Sequence, residues 1–168
     1  MRISKTRKVK TPTRGTSRSA GLDFYVPDDW VPSGDGTENK DFTDFIMAAN
    51  GAEGISHEVQ PGSAIRIDSG IKVEVPAGYA LIAFNKSGIA LSGLQIGACV
   101  VDEDYQGVIN LHLFNVSDKP IRIKQGQKLA QFILLPVLYH DVEVVPEGEL
   151  HAVPTERGDG AFGSTNHK

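Results

Sequence analysis

Four short polar or glycine-rich stretches hold the groups that could do chemistry. VVDEDYQG crowds Asp102, Glu103 and Asp104 behind two valines and ahead of Tyr105. A carboxylate fixed at a strand end can hold and polarise a water, and a tyrosine ring offers a flat face to a sugar. A solvated acidic turn has the same composition. NKSGIA sets Lys86, Ser87 and Gly88 after an apolar run. A cation, a hydroxyl and unencumbered amides suit phosphate oxygens, although a plain loop looks alike. In SAGLDFYVP, Asp23 follows a small-residue turn that it could simply cap. The end, RGDGAFGSTNHK, places Arg157 among glycines before Phe162, Gly163, Ser164 and Thr165. That tail fits a disordered terminus, an adhesive tripeptide, or a lid that closes over a phosphate chain.

Other chemistries find no support. There is no P-loop, HExxH, GxGxxG, CxxC pair or nucleophile elbow. The five histidines show no metal spacing, and one cysteine, Cys99, makes no disulfide framework. The acidic cluster lacks EF-hand spacing. No run approaches the roughly 20 apolar residues of a membrane helix, and the basic start lacks an apolar signal core. A cytoplasmic setting is therefore expected (host cytoplasm for a viral chain), with no membrane partner, and the adhesive reading loses its compartment. The net charge is −4, yet Arg2, Lys5, Arg7, Lys8, Lys10, Arg14 and Arg18 all precede Asp23. A basic arm can meet nucleic acid. Without aromatic interleaving or a known nucleic-acid motif, a charged edge strand holding Ile3 and Val9 is the better reading.

The elements that must position these groups read as strands. The 168 residues fit one domain with a real core. Ile65 and Ile67 alternate with polar residues, as do Ile71, Val73 and Val75; after Pro76-Ala77-Gly78 come Tyr79, Leu81 and Ala83. Ile109, Leu111 and Leu113 form another face, and two more strands flank Gly126. Successive antiparallel strands with short turns are expected, hence an all-β sandwich, jelly roll or barrel. Residues 28–57 are acidic and turn-rich, and read as a surface insertion with a short helix near Asp41–Ala49.

Taken in order, these stretches resemble the five motifs of the trimeric dUTPase family. AGLDF resembles the first, NKSGIA the second, GACVVDEDYQG the third, GQKLAQFILLP the fourth and RGDGAFGST the fifth, over about Lys10 to Thr165. The resemblance implies a jelly-roll β-domain over 1–154 with a C-terminal arm over 155–168. It implies a homotrimer with shared sites and Mg2+-dependent hydrolysis of dUTP to dUMP and pyrophosphate, which keeps uracil out of DNA and supplies dUMP. By the same resemblance Asp102 is the base for water attack on the α-phosphorus, and Arg157 meets the γ-phosphate. Asp23 lies near the metal through water. Lys86, Ser87, Gly88 and Gln131 bind phosphates; Gly97 and Val101 belong to the uracil-reading hairpin. Tyr105 stacks on the deoxyribose, and Phe162 closes on the base with Gly163, Ser164 and Thr165 in the arm. The chain departs from the family with Lys86 for arginine, Gln127 for aspartate, and Cys99, Ala161 and Asn166 for glycines. A dCTP deaminase shares the fold, but His112 stands where its catalytic glutamate is expected. An added regulatory, protein-binding role through the insertion is the alternative.

Overall fold

The computed structural model describes residues 1–32, 55–151 and 153–161. The chain divides into two compact units, Met1–Leu138 and Tyr139–Lys168.

The first unit is built from strands β1 (Arg2–Lys5), β2 (Thr13–Arg14), β3 (Leu22–Tyr25), β4 (Ser56–Val59), β5 (Ala64–Asp68) and β6 (Ile71–Glu74). They are followed by β7 (Tyr79–Asn85), a short helix α1 (Ser87–Leu91), β8 (Leu94–Ile96) and β9 (Val100–Val101). The last three are β10 (Asn110–Asn115), β11 (Ile121–Lys124) and β12 (Lys128–Pro136). Every pairing is antiparallel, and the strands form sheets ordered β1-β6, β5-β10-β8, β11-β4 and β2-β3-β12-β7-β9. This is the all-β, jelly-roll architecture expected.

Period-two alternation is realised as burial. Ile65, Ile67, Ile71, Val73, Ile109, Leu111 and Leu113 face the core while Arg66, Lys72 and Glu74 stay out. Phe24 and Phe132 meet at 4.4 Å between ring centroids, in one buried cluster with Leu81, Leu94, Ile123 and Leu129. Each such fully buried side chain contributes about 1.5–3 kcal/mol of hydrophobic driving force.

Pairing differs from the expectation of successive hairpins. Among the described strands, only β2 and β3 are neighbours in both sequence and sheet. The glycine turns do form: Gly70 has φ +68°, and its N–H donates to Asp68 Oδ1 at 2.7 Å. A Cβ there would lie 2.9 Å from Arg7 Cβ, so the close approach also needs glycine. But these turns pass the chain between sheets, because alternation fixes which face is buried and not which strand lies alongside.

The stretch expected as a surface insertion is anchored at both described ends. Trp30, Val31 and Ile55 are buried, and His57 lies on β4, paired with β11. The turn-rich composition of the interior masked these apolar anchors. The helix expected near 41–49 falls outside the described residues. Helix α1 was not expected, since five residues are too few to show a helical period. The basic start is tied down as β1, with Ile3 opposite Val73 and an Arg2–Glu74 ion pair. Val9 lies beyond that strand, in the core.

The second unit has a 3₁₀ turn at Glu147–Glu149, and Val142 and Val144 are exposed.

Candidate active site

One end of the five-stranded sheet gathers the polar groups of three motifs. Asp23, at mid-β3, is buried and ion-paired with Lys86 at the end of β7 and with Lys128 at 2.8 Å on β12. A bulge between Lys128 and Ala130 lets β12 aim Lys128 at this carboxylate. Burial pushes the Asp23 carboxyl up; hydrogen bonds and charge from Lys128 and Lys86 outweigh it and hold the group below its usual range. The carboxylate in turn raises Lys128. Two cations around one carboxylate leave a net positive charge at this end.

Gln131 lies opposite both Asp23 and Phe84, and its Nε2 donates to the Asn85 carbonyl at 2.8 Å. Gly21 packs on it so closely that a Cβ would come 2.4 Å from Oε1. Asn85 accepts from the Ile96 N–H at 2.8 Å and donates to Gln95, tying the turn to β8. Lys86 is then extended, with φ −86° and ψ 133°, and α1 begins at Ser87. Ser87 and Gly88 are exposed in the first turn, where backbone N–H groups lack intrahelical acceptors. This brings Asp23, Lys86, Ser87, Gly88 and Gln131 to one place. Lys128 joins them without having been singled out; its one sequence signal was its place beside the Gly126 turn, three residues before Gln131. Gln127, where the resemblance leads one to expect aspartate, instead accepts from the Lys124 N–H at 3.0 Å.

The hairpin from β8 to β9 lies along β7, with the Ala83 N–H donating to Cys99 O at 2.7 Å. Gly97 and Val101 sit on its two arms, Val101 buried opposite Leu81. Asp102 follows, exposed, and no described residue pairs with its carboxylate. Its neighbour Glu103 accepts from the Gly78 N–H, so the acidic run divides its work. Tyr105 closes a turn through its N–H to Asp102 O at 3.2 Å and donates its hydroxyl to Val108 O at 3.0 Å. Gly107 admits that ring: a Cβ would lie 2.2 Å from its oxygen. Tyr105, Glu103 and Asp104 also line a groove of about 710 Å³ against β1 and β6, which includes neither Asp102 nor the lysine cluster.

The two groups of residues lie toward opposite ends of β7. Val101 pairs with Leu81, while Lys86 is five residues further along, roughly 17 Å of strand. In the second unit, Arg157 folds back on its own turn, Nε donating to Gly160 O at 3.1 Å, with Gly158 at φ +53°. Phe162, Gly163, Ser164 and Thr165 lie outside the described residues.

Among the described residues no three His, Cys, Asp or Glu side chains cluster as a metal cage. Both oxygens of Asp23 already face ammonium groups. The described side chains therefore do not fit a resident, protein-caged ion.

A profile of the dUTPase family matches residues 54–166. The deoxyuridine 5'-triphosphate nucleotidohydrolase of Hydrogenobaculum sp. (strain Y04AAS1) is 33% identical over 160 residues, covering 94% of this chain and 90% of that protein. The protein of the same name from Kluyveromyces lactis is 36% identical over 159 residues, covering 94% and 86%. Among solved structures, the dUTPase of Staphylococcus bacteriophage 80alpha with dUPNHPP aligns at TM-score 0.72 with 18% identity, over 98% of this chain and 96% of that one. A mutant dUTPase from phage phi11 of S. aureus, described with a structural Mg(II) ion, aligns at TM-score 0.63 with 17% identity, over 87% and 96%. With the profile over most of its length and such relatives end to end, the chain belongs to the dUTPase family.

Proposed function

We propose that this chain hydrolyses dUTP, taken up as its magnesium chelate, to dUMP and pyrophosphate. The observation that carries the reading is Asp102: an exposed carboxylate with no described partner, held at the end of a pinned hairpin beside Tyr105, in a chain of this family. Asp102 accepts a proton from water as the water oxygen forms a bond to the α-phosphorus. The bond from that phosphorus to the bridging oxygen breaks, and pyrophosphate leaves with the electron pair. Lys86, Arg157 and the exposed amides of Ser87 and Gly88 meet the phosphate charge, with Gln131 supporting the turn that carries them. Main-chain groups between Gly97 and Val101 read the uracil edge, Tyr105 covers the deoxyribose, and Phe162 with Gly163, Ser164 and Thr165 closes the site.

Magnesium belongs to the substrate in this account. It prefers phosphate oxygens and water to an all-protein cage, so it reaches the protein already held by the triphosphate. Asp23 then acts on Lys86 and Lys128 more directly than on the ion.

Sharing between chains follows from reach. Asp102 and the Lys86 turn are separated along β7 by far more than three linked phosphates span. A site that uses both takes them from different copies, which supports a homotrimer. Exposed Phe84, Leu91, Val100 and Phe114 give the apolar surface that such contacts cover.

The experiment is hydrolysis in ¹⁸O-labelled water. Attack at the α-phosphorus puts the label in dUMP; label in pyrophosphate overturns the Asp102 mechanism.

A further inference from the structure

The hairpin between β8 and β9 is held by an unusual arrangement on β10. Gly97 N–H donates to the His112 carbonyl at 2.9 Å, continuing the ladder that pairs Ile96 with Leu113. The next amide, Ala98 N–H, would point away from β10 in a regular strand. It donates instead to Nδ1 of the same His112 at 3.3 Å. One residue thus receives two successive hairpin amides, one on its backbone and one on its ring. The imidazole stands edge-on to Phe114, centroids 4.8 Å apart. Gly97 is pressed against both rings: a Cβ on it would lie 2.4 Å from His112 Nδ1 and 2.6 Å from Phe114 Cε2. On the other side the hairpin is strapped to β7 through Cys99 O.

We infer that His112 is a positioning residue for base recognition, its ring Nδ1 fixing the turn at Gly97-Ala98 from which the hairpin's main-chain groups meet the nucleobase. The inference rests on the proposed reading of the hairpin as the uracil-reading element. Its chemistry is specific. Nδ1 accepts, so the ring proton sits on Nε2. A side chain without an acceptor at that depth leaves the Ala98 amide with no protein partner, and the turn loosens. Asparagine carries an oxygen at the same distance from the backbone as Nδ1; valine matches a strand but accepts nothing.

The test compares His112→Val and His112→Asn with the unaltered protein, by dUTP kinetics and by amide hydrogen exchange over the hairpin. His112→Val should raise KM for dUTP about tenfold with kcat within about twofold, lower the preference for dUTP over dCTP, and speed exchange at the hairpin amides. His112→Asn should restore all three. Unchanged KM and exchange in His112→Val overturns the inference, as does an asparagine variant no better than valine. If the valine variant does not fold, imidazole ¹⁵N shifts of the unaltered protein decide: a protonated Nδ1 on the neutral ring overturns the inference, and an unprotonated one supports it. An unaltered protein with no dUTP turnover but a slowly exchanging, histidine-dependent hairpin overturns the proposed function and leaves the clamp standing.

Discussion

Asp102, Glu103 and Asp104 are three like residues in a row, yet their surroundings separate their roles. Glu103 is engaged by the Gly78 amide, and Asp104 lines the groove beside β1 and β6, whereas Asp102 is open to solvent at the strand end. Asp102→Asn keeps the shape and removes the base. Turnover should fall at least about a hundredfold, close to 3 kcal/mol of barrier, with dUMP affinity within a few-fold by calorimetry. Near-normal turnover removes Asp102 from the mechanism. Asp23 supports a prediction about stability. Its carboxyl is held below its ordinary value by Lys128 and Lys86 against the opposing push of burial. The folded protein therefore binds this proton less readily than the unfolded chain. The resulting stability is fully present above the unfolded value of about 3.9 and is lost as pH falls through the folded value. Asp23→Asn should cost about 1–3 kcal/mol at neutral pH, moderated because both lysines are partly solvated. Between pH 5 and 3 its stability should decline less than that of the unaltered protein, in urea melts at one protein concentration. Parallel declines contradict the ion-pair account.

At the scale of elements, what the sequence makes legible is local. Alternation in IRIDSGIKVEV predicts which side chains face inward, and Gly78 and Gly126 predict turns, because both follow from backbone geometry near each residue. Partner choice was hidden: nothing within β5 specifies β10, since a period-two pattern suits any neighbour with a matching apolar face. Of the candidate site, Asp23, Ser87, Asp102 and Tyr105 are singled out by the motifs that the sequence resembles. Lys128 was not, because a bulge aims it, and His112 was visible only as a residue that excluded another chemistry. The insertion gives the sharpest contrast. Its acidic, turn-rich middle suggested a surface excursion throughout, while Trp30, Val31, Ile55 and β4 at its ends belong to the core and the sheet. Replacing residues 33–53 by a short linker should keep fold and dUTP turnover, since their acidic, turn-rich sequence is that of a connection tolerant of changes in length. Extending the excision to 28–57 should cost several kcal/mol through loss of Trp30 and the β4–β11 pairing. Circular dichroism melts and turnover of the two deletions check this; an inactive but folded 33–53 replacement places the insertion in the site.

At the scale of the whole molecule, the proposed site joins residues that one chain holds apart along β7. A chain truncated before Arg157 retains every described strand and should melt within a few degrees of the full protein. Its turnover should nevertheless fall at least a hundredfold, because the arginine and Phe162 go together. Co-refolding that truncated chain with Asp102→Asn chains should recover activity that neither has alone. Some sites would then draw an intact base from one copy and an intact arm from another. No recovery, in mixed assemblies shown to form, contradicts shared sites. The most direct measurement is turnover of the purified chain with Mg2+ against dUTP, dCTP, dTTP and UTP, following pyrophosphate and ammonia separately. Pyrophosphate should form from dUTP with kcat/KM at least about a hundredfold above the other three, and no ammonia should form from dCTP. Equal turnover of all four nucleotides, ammonia from dCTP, or no pyrophosphate from dUTP would contradict the proposed function.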